Sequence, residues 1–286
     1  MRFGFTAATV LLALAPATAQ PLPSTADAQL KAIYDAEWVW RQKEFAQIAD
    51  GLRSKSDDHF PAVAPADWAR RRTYWTTVLD RIAHIPAAQL SSEERLNAAV
   101  LKESLRAEVA NIDFRTFEAP LNSDTYFWGE VKPYAPLETA QDYRRYIGRL
   151  RDVPRWFDQN IANMRAGLKR GFTPPRVSLV GRDATIAAFT RPGADNPLAE
   201  PFKAMPASIP TSQQAVLLAD GLAAVDTAAA PAYTKLLAFY RDTYLPGTRT
   251  TVSAASLPNG EAFYKSQIRE YTTLELTPEA IHKIGL

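Results

Sequence analysis

Apolar residues recur along this chain at helical spacing, and that period constrains its fold more than any other feature. Leu30, Ile33, Tyr34, Trp38, Phe45 and Ile48 fall on one helix face, because side chains three and four apart lie one above another. Pro65-Ala66-Asp67 opens a second helix carrying Trp68, Trp75, Val78, Leu79 and Ile82; proline suits a first turn, where its missing N–H costs nothing. Ser91-x-x-Glu94 has the form of a capping box for a third, with Leu96, Val100, Leu105, Val109 and Ile112. The stretch 139–169 sets out Tyr143, Tyr146, Ile147, Leu150, Trp156, Phe157, Ile161, Met164 and Leu168. Pro154 is predicted to break or kink it and Gly171 to stop it. Thr211-x-x-Gln214 predicts another start, followed by Val216, Leu218, Leu222 and Val225. Beyond Pro231 the period continues through Tyr233, Leu236, Leu237, Tyr240 and Tyr244, up to Pro246-Gly247.

Strand signals are few, and only 176–179 and 248–253 read as short extended pieces. Two irregular regions remain, 119–137 and 171–210. The second is long for a bare loop and so is expected to be functional or packed across the helices. The pattern predicts an all-α or mostly-α fold, an irregular multi-helix array.

Cysteine is absent, which excludes disulfides, thiolate-bound zinc, iron–sulfur clusters and thiol catalysis from this chain. Stability must come from a packed core, and a 47% hydrophobic composition with six tryptophans supplies one. At the start, Arg2 precedes an apolar run, Phe3 to Ala15, too short to span a bilayer. Ala17-Thr18-Ala19 then forms a small-x-small cleavage site, so residues 1–19 read as an export signal and the mature chain as starting at Gln20. Export predicts a periplasmic or secreted protein. No later segment reads as long and apolar enough to be an integral membrane span. Basic and acidic residues nearly balance, 33 against 31, which argues against a nucleic-acid partner.

Catalytic signatures are missing. The histidines stand alone at 59, 84 and 282, with no His-Glu-x-x-His and no close pair. No Gly-x-Ser-x-Gly elbow and no glycine-rich phosphate loop occurs. No catalytic residue and no metal ligand is therefore assigned. Three residues are candidates for substrate binding. Arg182 and Asp183 sit in the long irregular region, where an arginine can grip a carboxylate through two parallel hydrogen bonds; the alternative is a local turn with a structural Arg–Asp pair. His282 lies early in a final helix opened by Thr277-Pro278-Glu279. It is either substrate-facing or near a metal, or a polar histidine on the helix surface, since one histidine cannot define a zinc site. His84, at a helix end, and His59, after Asp57-Asp58, read as structural. Trp38 and Trp40 cannot share one core face, which leaves one for a cleft or another subunit.

Several stretches carry a family resemblance. They are Arg151-Asp152-Val153-Pro154, Ile161 to Gly167, Gly171 to Val177 with Gly181-Arg182-Asp183, Phe202 to Pro210, and most closely Leu257 to Leu286. In this order and spacing they resemble the amino-terminal half of the bacterial domain of unknown function 885 family, over most of 140–286 and more weakly back to about residue 27. The resemblance implies a helical branch of the zinc-metallopeptidase superfamily, usually exported and roughly twice this length. Residues 20–286 would then be an incomplete helical domain, truncated before the metal-binding half. The family's metal motif, a His-Glu pair followed by Gly-His on one helix, lies downstream of the stretch matching 257–286 and is not in this sequence. No family ligand or catalytic glutamate falls on any residue here. Zinc and a peptide substrate are expected of the full-length protein, with this chain as scaffold and cleft wall, inactive alone. The rival expectation is a periplasmic helical binding or scaffold protein without catalysis.

Overall fold

Helix starts in the computed structural model, which describes residues 25–50 and 53–286, follow from their caps. The export signal read at 1–19 lies outside the described residues. Helix α1 (Ala26–Glu44) begins where the Thr25 hydroxyl accepts from the Ala28 N–H, at 3.1 Å. Helix α2 (Pro65–Ala83) begins at its proline. Before α3 (Ser92–Asp113), the Ser91 hydroxyl accepts from the Glu94 N–H. Before α4 (Ala140–Arg170), Thr139 and Asp142 exchange cap hydrogen bonds. Each side-chain oxygen satisfies an amide that the helix leaves without a partner. Gly171 ends α4 in the left-handed region, at φ +78°, where a residue without Cβ is unstrained.

Pro154 does not break α4, contrary to the sequence expectation. Proline removes one hydrogen bond and crowds the carbonyl four residues back, at a cost of about 3 kcal/mol. Two sets of contacts hold the helix together across that point. Leu150, Val153, Trp156 and Phe157 are buried around it. On the other side the segment 60–63 is bonded along it. The Phe60 N–H donates to Asp152, Arg155 donates to the Phe60 carbonyl, the Val63 N–H donates to Gln159, and Asn163 donates to the Val63 carbonyl.

The single turn α5 (Asp183–Ala187) precedes α6 (Thr211–Ala224), α7 (Ala230–Phe239) and α8 (Leu245–Gly247). These last three run end to end through π turns at Val225–Ala229 and Tyr240–Tyr244. Pro231 and Pro246 explain the π turns. The carbonyls each ring would strike, those of Thr227 and Asp242, lie inside the widened turns. The rod Thr211–Gly247 is long and apolar enough, by length and composition, to cross a membrane. That corrects the sequence expectation that no later segment is so long and apolar. About half of its most apolar window, 44%, is buried in this chain's own core.

Other expectations are corrected in detail. The cap predicted at Thr211 is absent; Pro210 takes that position, and Gln214 donates to the carbonyls of Pro206 and Ile209. The buried face of α6 is Leu217, Gly221 and Ala224, while Val216 and Leu218 are exposed. Gly221 is required there because the Phe202 ring fills the place of a Cβ. On α3, Leu96 and Val100 are likewise exposed and Ala98, Leu105 and Ile112 are buried. Ile48 is not helical. The chain turns at Ala46, with φ +50°, into an antiparallel hairpin of β1 (Gln47–Asp50) and β2 (Arg53–Ser56), with Gln47 opposite Ser56. The pieces expected to be extended, 176–179 and 248–253, form a 3₁₀ turn and irregular chain, joined by the Arg176 N–H on the Arg249 carbonyl.

Two cores result. One gathers α1, α2 and α3 around Leu30, Trp75, Val78, Leu105 and Ile112. The larger gathers α4, the rod and the irregular regions around Trp128, Tyr146, Leu150, Phe157, Tyr233 and Tyr240. Trp68 packs against both. Helix α9 (Gly260–Thr272) lies on α3, with Arg269 paired to Glu103 at 3.1 Å, and α10 (Pro278–Ile284) follows it, capped by Thr277.

Candidate functional site: a cationic cleft between the two cores

Helix α4 carries Asp142, Arg145, Tyr146 and Arg149 at i, i+3, i+4 and i+7, a spacing that places all four on one face. That face floors a cleft of about 490 Å³. Its far wall comes from the end of α1 (Arg41, Phe45), the hairpin (Lys55), the loop His59–Pro61, Trp68 and the segment 130–137. Gly148 allows this closeness. A Cβ there would stand 2.7 Å from the Asp58 carbonyl oxygen, so only glycine lets the loop cross α4 so near.

Arg149 is the chemically unusual residue. It is 7% exposed, yet no carboxylate lies within ion-pair distance among the described residues. One of its Nη atoms donates to the Glu130 carbonyl at 2.8 Å, and its Nε is buried with no acceptor. Its plane covers the Phe60 ring at 4.3 Å, and Phe60 stacks in turn on Trp156 at 4.0 Å. Burial pushes the guanidinium pKa down, with Glu130 pulling it part of the way back. Burying a cation away from any ion-pair partner is costly, and the Glu130 carbonyl and the Phe60 ring replace only part of the water it gives up.

The other charges are better provided for. Arg41 is paired with Glu37 at 2.8 Å and with Glu108 at 2.9 Å. Asp142 is approached by Arg145 at 3.5 Å and Lys55 at 3.7 Å. Burial alone would raise the Asp142 carboxyl; hydrogen bonds from the Thr139 hydroxyl and the amides of Thr139 and Glu138, with the Lys55 charge, bring it below the ordinary value. Glu130 borders the open cleft, but enough protein surrounds its carboxyl to raise its pKa, an effect that Arg149 partly offsets.

The residues proposed from sequence lie elsewhere. Arg182 and Asp183 stand at the start of α5 and do not pair with each other. Asp183 accepts from Arg241 at 2.8 Å, and Arg182 lies 5.7 Å from the Tyr126 ring. His282 is exposed on α10. None of the three lines the cleft. His84 caps the end of α2, and His59 sits at the cleft rim with Nδ1 2.9 Å from Asp58. Trp40 stacks on Tyr74, and Trp38 is the tryptophan left exposed. Among the described residues one group could place three ligand atoms together, Asp57, Asp58 and His59. Three consecutive, largely exposed residues with one imidazole do not fit a zinc hydrolase centre, which holds its metal on side chains fixed by a second layer of contacts. Sequence reasoning overlooked Arg149 because it followed only the apolar face of α4. The polar repeat of Asp142, Arg145, Arg149 and Asp152 along the same helix was the signal available.

Fold and cleft define an all-α array with one cationic, aromatic-walled cavity between two cores. The family follows from comparison. Residues 46–286 match the family described as bacterial protein of unknown function (DUF885), and the chain belongs to it. Among solved structures it is similar to that of the "putative lipoprotein" from Colwellia psychrerythraea, with a TM-score of 0.68 and 17% identity, covering 91% of this chain and 48% of that one. At that identity the likeness is one of fold, and the chain spans about half the length of its solved neighbour. No curated protein matches it.

Proposed function

We propose that this chain is the substrate-holding part of an exported, peptidase-like protein, and that its cleft takes a peptide. The observation that carries this reading is Arg149, a buried cation with no carboxylate within ion-pair distance among the described residues, at the floor of a cavity walled by aromatic side chains. Pockets of this kind fix a ligand by a few polar groups and bind its body on apolar walls. The zinc and catalytic glutamate implied for the whole protein find no fit among the described residues, so the chain's part is to bind and orient. Zinc, when bound elsewhere in the whole protein, would activate water. Export is supported by the pattern at residues 1–19 and favoured by the description of the solved neighbour as a lipoprotein. Arg182, Asp183 and His282 remain candidates for contacts with more distant parts of a long substrate.

Trp68 lines the cleft and reports on it. Titration of the chain with short peptides should give a saturable change in tryptophan emission that Arg149→Met removes. Absence of any saturable change would overturn the reading. A rival reading is a binding or scaffold protein without catalysis. Release of new amino termini from peptides by the whole protein with added zinc would exclude it.

A further inference from the structure

Resting on that reading, we infer that the cleft recognises the free carboxylate end of a short peptide, with an apolar side chain beside it. Three observations converge. Arg149 has no carboxylate within ion-pair distance among the described residues, the Glu130 carboxylate acting on it only through its field, and its planar fork suits a carboxylate held by parallel hydrogen bonds. Phe60 occupies one face of that fork and the Glu130 carbonyl one donor, while Nη1 has no partner among the described residues. Arg145 lies one turn before it on the same face. Its carboxylate neighbour, Asp142, lies 3.5 Å away through Oδ1, the oxygen that Lys55 also approaches, at 3.7 Å. Both guanidiniums thus line the cleft floor.

Charge limits the ligand. Among the lining residues, Arg41, Lys55, Arg145 and Arg149 oppose Glu108, Glu130 and Asp142, an excess of one positive charge. A singly charged carboxylate completes that balance, whereas a phosphate dianion would overshoot it beside two acidic groups. Phe45, Pro61, Trp68, Tyr134 and Leu137 provide the apolar wall next to it. A cavity of about 490 Å³ takes a short peptide end, not a folded chain.

The test uses the whole chain and three probes at fixed ionic strength: acetyl-Ala-Phe as the free acid, the same compound as its amide, and acetyl-Ala-phosphoserine amide. Calorimetry should show the acid binding at least about tenfold tighter than the amide, as expected for a charge-assisted contact to a desolvated arginine. Arg149→Met should bring the acid down to the level of the amide, and Arg149→Lys, which keeps the charge but loses the fork, should fall between. Equal binding of acid and amide by the unmodified chain would overturn the carboxylate assignment and leave peptide binding standing. Preference for the phosphorylated probe would overturn it in favour of a dianion site. Binding of none of the three would overturn both this assignment and the peptide-binding function. The acid–amide comparison needs no substitution, so misfolding of a variant cannot obscure it.

Discussion

Two single residues govern the cleft in different ways. Gly148 does so by absence: with no Cβ, it lets the Asp57–Phe60 loop lie on α4. Gly148→Ala should push that loop outward, cost roughly 1–3 kcal/mol in urea unfolding as overpacking does, and weaken ligand binding. Unchanged stability and affinity would show that the loop yields freely. Glu130 acts by charge, facing Arg149 and Tyr134. Its pKa is raised in the folded state, so the folded chain holds this proton more tightly than the unfolded chain does. The penalty of ionising it is therefore present at neutral pH and relieved as pH falls through its raised value. Ionised Glu130 also competes for the field of Arg149. Carboxylate affinity should accordingly rise on mild acidification, and Glu130→Gln should bind tighter at neutral pH and flatten that dependence in a calorimetric pH series.

At the scale of elements, α4 carries the structure. Its start rests on Asp142, whose carboxylate accepts from Thr139 and Glu138. Asp142→Ala should cost about 2 kcal/mol at neutral pH, the sum of a lost cap and two stranded donors. Because its folded pKa is depressed, this stabilisation is complete above the unfolded value and lost as pH falls through the folded one. The gap between Asp142→Ala and the parent chain should close in acid, as urea melts across pH will show. Pro154 marks the opposite case, a local rule overridden by packing. Replacing it with alanine restores an amide for the Leu150 carbonyl, and less the rigidity lost from the unfolded chain should gain about 1–2 kcal/mol. A loss instead would mean that neighbouring side chains have packed to the ring itself.

Across the whole molecule, Trp68 ties two cores together. It stacks on Phe117 at 5.4 Å, lies under the buried Arg71 guanidinium at 4.4 Å, and donates to the Val63 carbonyl at 3.0 Å. Trp68→Ala should cost about 3 kcal/mol, as aromatic truncations in packed surroundings do, and loosen the coupling between the cores. Scanning calorimetry should then resolve two transitions where the parent shows one; a single sharp transition at lower temperature would show that the cores are joined by other contacts.

Most helices and several of their starts, with the stop at Gly171, were legible in the sequence because the causes are local: a period of apolar residues, a hydroxyl three residues before an amide, a glycine where φ is positive. The all-α array follows from those. What tertiary structure decided was everything that depends on distant partners. Four-residue strands are too short to show a period, so the hairpin was invisible. Pro154 reads along the chain as a break or a kink, and only the segment 60–63 bonded along α4 shows why the helix runs on there. Adjacent Arg182 and Asp183 looked like a pair, but Asp183 found Arg241, 58 residues away. The cleft brings Phe45, Lys55, Trp68, Tyr134 and Arg149 together from across more than a hundred positions. Beyond the polar repeat it shares with Asp142, Arg145 and Asp152, Arg149 reads along the chain as a solvated helix arginine; only its burial away from any ion-pair partner among the described residues sets it apart, and burial is a property of the assembled fold.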